Sequence, residues 1–245
     1  MNENAKLVWV TPAADLMVEE LARVSNPTAT VRESSTLISY LLKHKHWSPF
    51  EMASMCLQID TTRDIGRQLL RHVSFRFQEF SQRYADATKL VQAFPRPARA
   101  QDTKNRQNSI EGVLSADVCE WWLSEQLRLQ EDTTAVYKAA LEKGIAKEVA
   151  RVVLMEGLTT TRMFIAGNIR SWLHFCQLRM DMDTQLETRR LAGMCWEVLA
   201  KQMPKTCKGL IRAMDDGLVL QPQEEVKLMY VIKAMADGVD PQTEA

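Results

Sequence analysis

The chain has 245 residues, of which 46% are hydrophobic and 25% charged, and its 31 basic and 31 acidic side chains give a formal net charge of zero. This composition is typical of a globular protein and excludes disordered, collagen-like and low-complexity chains, as well as a protein that binds bulk polyanions. No apolar run reaches the roughly 20 residues of a membrane-spanning helix, and the opening residues MNENAKLVWV lack the apolar core of a secretory signal, so we expect neither feature.

The cysteine and histidine spacings predict no metal site and no disulfide. The five cysteines are Cys56, Cys119, Cys176, Cys195 and Cys207, and none belongs to a C-x-x-C pair. This pattern predicts reduced, mostly buried thiols in a reducing cytoplasm. His44 and His46 form H-x-H, but no cysteine or carboxylate accompanies them at ligand spacing.

Hydrophobic periodicity predicts strands and helices in mixed order. The first half is expected to contain a strand at 7–10, helices over 15–24 and 33–43, a strand around 55–59, a helix over 63–71 and a strand over 74–80. Residues 85–111, which include Pro95 and Pro97, are predicted as a long loop. Helices over 115–143 and 146–156, an extended segment over 159–166, helices over 168–178 and 185–201, and a helix restarting at Pro204 are expected to follow.

This order of elements predicts an α+β fold, because strands and helices do not alternate as they do in a parallel α/β sheet. No repeat and no clear linker interrupts the chain, so we expect one domain over residues 1–220. A tail over 221–245 carries five acids and two lysines, and is expected to be acidic and partly helical.

The neutral total conceals a basic block over residues 61–106, where ten Lys and Arg side chains accompany four acids, a net charge of about +6. Arg63, Arg67 and Arg71 are spaced four residues apart and therefore share one face of the predicted helix. Such a stripe is usually solvated and ion-paired. A local excess of arginine also suits a site for a few phosphate groups, because the guanidinium fork binds phosphate through two hydrogen bonds.

The segment after this stripe carries a recognisable motif: Arg71-His72-Val73, seven residues, then Ser81-Gln82-Arg83 and Tyr84. It resembles the signature of the flavin-dependent thymidylate synthases, which is Arg-His-Arg, seven residues, Ser, any residue, Arg. Other family-like pieces follow the same order, namely ARVS at 22–25, HWSPFE at 46–51, EVAR at 148–151, NIRS at 168–171, HF at 174–175, LR at 178–179 and QLE at 185–187. The resemblance runs from about residue 20 to residue 205.

The resemblance implies both a fold and a reaction. The implied fold has a small, mostly antiparallel sheet packed by several helices. The implied reaction is the reductive methylation of dUMP at C5 to dTMP, with methylenetetrahydrofolate as carbon donor and FAD reduced by NADPH. It further implies a homotetramer with shared active sites in the cytoplasm, or in the host cytoplasm for a viral protein, with no membrane and no nucleic acid as partner.

Site residues are implied by matching positions. Those expected to hold dUMP are Gln68, Arg71, Glu79, Ser81, Gln82, Arg83, Arg151 and Arg179. Those expected to bind FAD are Ser25, Ser48, Glu51, Arg71, His72, Glu79, Asn168, Arg170 and His174. Arg179 is the expected catalytic residue, because a guanidinium stabilises negative charge on the uracil without donating a proton.

The chain departs from the family pattern at several positions. Val73 replaces the third motif residue, Arg, and Arg76 occupies a position that is usually small; on a regular strand these two positions face opposite ways. Leu186 replaces a Trp, and Asp183 stands where some members have His. These departures leave open a relative that acts on another uridylate or makes a hydroxymethyl product.

Three structural or non-enzymatic alternatives also remain open. The phenylalanines at 75, 77 and 80 alternate with arginines and would suit base stacking in a nucleic-acid-binding helical module, which the neutral charge and acidic tail disfavour. Glu79 would serve as an ion-pair partner of Arg76 or Arg83. Trp121 and Trp122 are expected in the core or in a subunit contact.

Overall fold

The computed structural model describes residues 3–25, 34–90 and 92–215, so the predicted tail over 221–245 lies outside the described residues. The strands are β1 (Asn4–Val10), β2 (Ser54–Thr62), β3 (Arg76–Glu79), β4 (Ala100–Gln101), β5 (Ser109–Ile110) and β6 (Thr160–Asn168). The α-helices are α1 (Ala14–Arg23), α2 (Ser34–Lys43), α3 (Ser48–Glu51), α4 (Arg63–Leu69), α5 (Ala116–Glu142), α6 (Lys147–Ala150), α7 (Ile169–Arg179), α8 (Leu186–Gln202) and α9 (Pro204–Asp215).

The main sheet has the strand order β1-β2-β6-β3, and β4 pairs with β5 in a separate antiparallel hairpin. Strand β2 buries most of its residues on both faces, which explains why Cys56 as well as Met55, Leu57 and Ile59 is apolar. The predicted α+β fold with a small, mostly antiparallel sheet is confirmed. The long loop predicted over 85–111 is confirmed in part, because its described residues, 85–90 and 92–111, contain a short 3₁₀ turn and the β4–β5 hairpin.

Two predicted helices are shorter in the structure. The helix predicted over 146–156 is only α6, followed by 3₁₀ turns at Arg151–Val153 and Glu156–Leu158. Because Ala150 is the only buried residue between 147 and 153, no continuous apolar stripe supports a longer helix. The helix predicted over 63–71 ends at Leu69, so Arg71 does not continue the helical face of Arg63 and Arg67.

Helix α5 buries polar side chains and exposes apolar ones. Its buried residues are Gln126, Gln130 and Tyr137. The Gln126 amide accepts from the backbone N–H of Arg96 and donates to the Arg96 carbonyl, at 2.9 Å in both cases, while the Tyr137 hydroxyl accepts from the backbone N–H of Ala87 at 3.3 Å. These bonds fix α5 to the loop over 85–111 by satisfying its backbone rather than by apolar packing.

Grouping by contact divides the described residues into two compact units. Unit 1 contains residues 3–4, 59–72, 77–90 and 92–164, and unit 2 contains residues 5–25, 34–58, 73–76 and 165–215. No helix in the described part of the chain is long and apolar enough to cross a bilayer. Within the same residues, no three His, Cys, Asp or Glu side chains cluster as a metal site requires.

Candidate active site

A cavity of about 590 Å³ lies within unit 2, a size typical of sites for small molecules and cofactors. It is lined by Lys45, Trp47, Glu51, Val73, Ser74, Arg76, Asn168, Arg170, Ser171, His174, Gln177 and Leu178. Of the residues predicted for FAD, the structure therefore brings four together here, namely Glu51, Asn168, Arg170 and His174. Ser25 and Ser48 are exposed and do not line this cavity.

One face of α7 supplies most of the polar lining. The Asn168 side chain caps the helix by accepting from the backbone N–H and the hydroxyl of Ser171, at 2.9 and 2.8 Å. Arg170, His174 and Gln177 follow at helical spacing, so they lie on one side of the helix, while Trp172 and Leu173 are buried. The cap uses the amide oxygen of Asn168 and leaves its NH₂ group as a donor.

Arg170 is held by two neighbours. It forms a short ion pair with Glu51, and its guanidinium lies 5.7 Å from the centre of the Trp47 ring. Desolvation and the positive charges of Arg170 and Arg179 lower the pKa of His174 below its usual 6.5. This shift favours the neutral form of the His174 imidazole over its charged form.

The chain segment 73–76 forms another wall of the cavity and is anchored by Phe75. Phe75 is buried and packs against Trp172 and Phe175, with ring centroids 4.5 and 5.8 Å away. A Cβ at position 167 would lie 2.3 Å from Phe75 Cδ1, so this close approach requires Gly167. Arg76 Nη1 donates to the carbonyl oxygens of Phe75 and Val73, at 3.0 and 3.3 Å.

Gln177 adds a buried donor to the same cavity. Its side chain is buried, and its amide nitrogen Nε2 has no hydrogen-bond partner among the described residues. An unpaired buried donor costs about 1–3 kcal/mol, which a ligand acceptor or water at this position offsets. Its place among the cavity-lining residues therefore indicates a site for a polar ligand.

A second cluster lies in unit 1 around Glu79. Arg67 Nη2 donates to both carboxylate oxygens of Glu79 at 2.5 Å, Arg63 Nη1 lies 3.3 Å from Glu79 Oε1, and the Thr161 hydroxyl donates at 2.8 Å. These partners correct the alternative of an ion pair with Arg76 or Arg83. Desolvation together with nearby Arg67 and Arg151 lowers the pKa of Arg63, with Glu79 opposing the shift. The cluster therefore concentrates cations around one carboxylate.

The other predicted site residues of unit 1, of which His72 was predicted for FAD and the rest for dUMP, occupy mixed environments. Arg83 is exposed and lies 3.5 Å from Glu148, and its backbone N–H donates to the Ser81 hydroxyl at 3.4 Å. Gln82 is buried, and its amide nitrogen has no partner among the described residues. Residues Gln68 and Arg151 are half-buried, Arg71 is exposed and His72 is buried. Gln82 thus resembles Gln177 in having a buried amide donor without a partner among the described residues.

Several residues of these two clusters were not predicted. In the cavity they include Lys45, Trp47 and Gln177; around Glu79 they are Arg63, Arg67 and Thr161. The four-residue spacing of Arg63 and Arg67 signalled a shared face but not its carboxylate partner. No sequence pattern signalled Gln177, because an isolated glutamine in a helix is usually solvated.

The remaining departures have plain structural settings. Leu186 is buried at the start of α8, and the backbone N–H of Asp183 donates to the Asp181 carboxylate at 2.8 Å.

The cysteines are free thiols, as predicted, and all except Cys119 are buried, which raises the pKa of each buried thiol. Buried thiols of raised pKa are poor nucleophiles.

An α+β fold that carries a cation-lined cavity and a separate arginine–carboxylate cluster is suited to an enzyme that binds phosphorylated ligands. The family model described as thymidylate synthase complementing protein matches residues 6–205. The chain is 44% identical, over 216 residues, to a probable flavin-dependent thymidylate synthase of Paramecium bursaria Chlorella virus 1, covering 84% of this chain and 98% of the relative. It is 40% identical, over 194 residues, to the flavin-dependent thymidylate synthase of Synechocystis sp., covering 79% and 88%.

A solved structure is similar as well. The UMP/dUMP methylase PolB from Streptomyces cacaoi, bound with 5-Br UMP, aligns with a TM-score of 0.72 at 28% identity, covering 86% of this chain and 95% of that one. The chain belongs to the flavin-dependent thymidylate synthase family. The family and enzyme class expected from the motif are thereby confirmed, and they replace the alternative of a nucleic-acid-binding module. The nucleic-acid-binding alternative also required Phe75 to stack on a base, but Phe75 is buried among aromatic rings.

Proposed function

We propose that this enzyme methylates dUMP at C5 to give dTMP, with FAD as its flavin and with NADPH and methylenetetrahydrofolate as co-substrates. The observation that carries the proposal is the family membership over residues 6–205, combined with a cavity in unit 2 that contains four of the residues matched to the flavin site. The names of the relatives support a flavin and a uridylate, and FAD, NADPH and the folate follow from the motif resemblance.

The cavity in unit 2 fits a flavin nucleotide. Its cations suit phosphate, the Trp47 ring suits an aromatic system, and the unpaired Gln177 amide suits a ring or ribityl oxygen. Arg170 and His174, with the NH₂ of Asn168, are the residues that would hold it. When bound, the flavin supplies the hydride chemistry, and the protein supplies binding, orientation and electrostatics.

The residues proposed to bind dUMP have two chemical tasks. The phosphate would be held by guanidinium and hydroxyl donors from Arg71, Ser81, Arg83 and Arg151. Gln68, Glu79 and Gln82 offer amide and carboxylate groups for the base and sugar, and Gln82 has a donor with no partner among the described residues. Arg179, at the C-terminal end of α7, would stabilise negative charge on the uracil as C5 becomes nucleophilic.

We further propose a cytoplasmic homotetramer with shared active sites, formed by a domain over residues 1–220. The exposed apolar side chains of α5 support self-association, since Trp121 is 59% exposed and Val136 is 54% exposed. The five free thiols support a reducing compartment such as the cytoplasm.

The function is tested first by cofactor uptake. Purified protein incubated with FAD and desalted is expected to keep the flavin absorbance bands. With FAD, NADPH and methylenetetrahydrofolate, it is expected to release tritium from C5-labelled dUMP and yield a product heavier by one CH₂ unit, because a methyl group replaces the hydrogen at C5. A protein that neither retains FAD nor releases tritium would contradict the proposal.

The same assay decides between close alternatives. UMP replaces dUMP in a parallel reaction, because the similar solved structure is of a UMP/dUMP methylase. Faster turnover of UMP would redefine the substrate, and a product heavier than the substrate by one CH₂O unit, as in hydroxymethylation, would redefine the reaction.

The role of Arg179 is tested by Arg179→Ala with exposed Arg212→Ala as the matched control. Loss of an electrostatic donor at the reacting ring is expected to lower kcat about 100-fold or more, because such donors act mainly in the transition state. FAD affinity is expected to stay within twofold of wild type. Unchanged kcat in Arg179→Ala would remove this residue from the catalytic step.

A further inference from the structure

The cavity in unit 2 carries more positive charge than its acids neutralise. Lys45, Arg76 and Arg170 are its cations, and Glu51 is its carboxylate. Since Arg170 pairs with Glu51 and also contacts Trp47, its charge is already compensated. Arg76 contacts no carboxylate among the described residues, and its two hydrogen bonds are to backbone carbonyl oxygens. The positive charge of Arg76 is therefore available to a ligand.

The geometry of Arg76 leaves a particular edge of its guanidinium open. Both hydrogen bonds come from Nη1, which donates to the carbonyl oxygens of Val73 and Phe75. An arginine has five N–H groups in a planar fork. In Arg76 the N–H groups along the Nε and Nη2 edge have no partner in the described part of the chain. That edge presents two parallel N–H bonds, the arrangement that binds a phosphate through two oxygens.

The carbonyls that hold Nη1 belong to a fixed segment. Phe75 is buried against Trp172 and Phe175 and approaches Gly167 closely, so the backbone at 73–76 has little freedom. An arginine held at Nη1 by such a backbone loses less conformational entropy when its other edge binds a ligand. Arg76 is thus oriented before the ligand arrives.

We propose that Arg76 is a phosphate-binding residue of this cavity, and that it serves the phosphate of the flavin dinucleotide through its Nε and Nη2 edge. The proposal rests on the proposed function for the identity of the ligand. The proposal also assigns a role to Val73. Its side chain is 87% exposed and lines the same cavity, and its carbonyl oxygen holds the arginine three residues later.

The proposal is tested by ligand affinity rather than by turnover. Arg76→Gln and Arg76→Lys are compared with wild type and with Arg212→Gln, an exposed arginine of α9 in the same unit. Flavin fluorescence titrations give the Kd for FAD and for riboflavin, which has the same ring and no phosphate. Calorimetry gives the Kd for dUMP, and circular dichroism with thermal melting confirms that each variant is folded.

Arg76→Gln is expected to raise the Kd for FAD about tenfold to a hundredfold, since a charged two-point hydrogen bond is lost. Riboflavin and dUMP affinities are expected to stay within twofold. The Kd of Arg76→Lys for FAD is expected to lie between those of wild type and Arg76→Gln. A lysine keeps the charge, but it cannot both bond to a carbonyl oxygen and offer a planar fork.

Each contrary result has a definite meaning. Equal FAD affinity in wild type and Arg76→Gln would overturn the proposal, and wild-type affinity in Arg76→Lys would overturn the two-point fork. A loss for dUMP with FAD unchanged would assign the residue to the substrate phosphate instead and overturn the flavin assignment. A wild-type protein that binds no FAD would contradict the proposed function, independently of Arg76.

Discussion

His174 lies on the cavity side of α7, four residues after Arg170 and five before Arg179. Desolvation and these two positive charges lower its pKa, so a smaller fraction of its imidazole is protonated than of a free imidazole at the same pH. We predict that an NMR titration, with the His174 signal assigned by its absence in His174→Gln, has its midpoint below 6.5. Arg170→Gln is expected to raise that midpoint.

The lowered pKa of His174 also determines the direction in which the stability of the fold changes with pH. Because the folded state holds the proton less tightly than the unfolded state, protonation favours unfolding as the pH falls through 6.5. Wild type is therefore expected to lose more free energy of unfolding than His174→Gln between pH 7.5 and pH 5.5, as measured by urea unfolding. An equal loss, or a midpoint at or above 6.5, would contradict the prediction.

At the residue scale, sequence reasoning located the motif but not its geometry. The strand rule predicted that positions 73 and 76 face opposite ways. In the structure β3 begins only at Arg76, so residues 73–75 are not regular strand, and both side chains line one cavity. Alternation holds only within a strand. The spacing of residues in the sequence could not predict the hydrogen bonds that turn Arg76 toward its own backbone.

At the scale of elements, the start of α9 depends on a side chain from α1. Asp15 is buried, and its carboxylate accepts from the backbone N–H groups of Lys205 and Thr206, at 2.8 and 3.0 Å, and from the Thr206 hydroxyl at 2.6 Å. A carboxylate at a helix N-terminus satisfies unpaired N–H groups and opposes the helix dipole. Asp15 therefore acts as a cap supplied from a distant part of the chain.

Removing this cap is expected to destabilise the protein. Asp15→Ala should lower the free energy of unfolding by about 2 kcal/mol in urea titrations, because three hydrogen bonds at the helix start are lost. Glu20→Ala, an exposed acid on the same helix, is the control and should change stability by less than about 0.5 kcal/mol. Equal effects of the two substitutions would show that the cap does not contribute.

Pro204 correctly predicted the start of α9 from the sequence, since proline is tolerated in a first helical turn. The capping group was invisible there, because it comes from a residue about 190 positions away. Helix boundaries that depend on local residues were predicted well, as with Gly144, whose positive φ follows the end of α5. Those that depend on burial were not, as α6 illustrates.

At the scale of the whole molecule, the basic block over 61–106 is partly neutralised by its fold. Arg63 and Arg67 share Glu79, Arg83 lies near Glu148, and Arg96 pairs with Asp64 at 2.7 Å. The interpretation of the stripe as an ion-paired face is thus correct for its first two members. A count of charges within that window includes Glu79 and Asp64 but does not show which side chains they pair with, and it omits Glu148, which lies outside the window.

Self-association is the remaining prediction at this scale, and it concerns α5. Val118, Trp122, Leu129 and Val136 are 42, 39, 37 and 54% exposed, and their spacing of four, seven and seven residues places them in one stripe along the helix. The core location considered for Trp122 is therefore wrong within one chain, whereas a subunit contact stays a prediction. An apolar stripe of this length on an exposed helix is typical of an interface.

Introducing charge into this stripe is expected to break the proposed homotetramer. Wild type should have four times the 28.0 kDa mass of one chain in multi-angle light scattering, and the double variant Trp122→Glu with Leu129→Glu a smaller mass, because a charge buried without a partner is costly. Lys138→Glu, an exposed site on another face of α5, is the matched control and should keep the wild-type mass. A double variant that assembles like wild type would place the interface elsewhere, and a monomeric wild type would rule out the assembly.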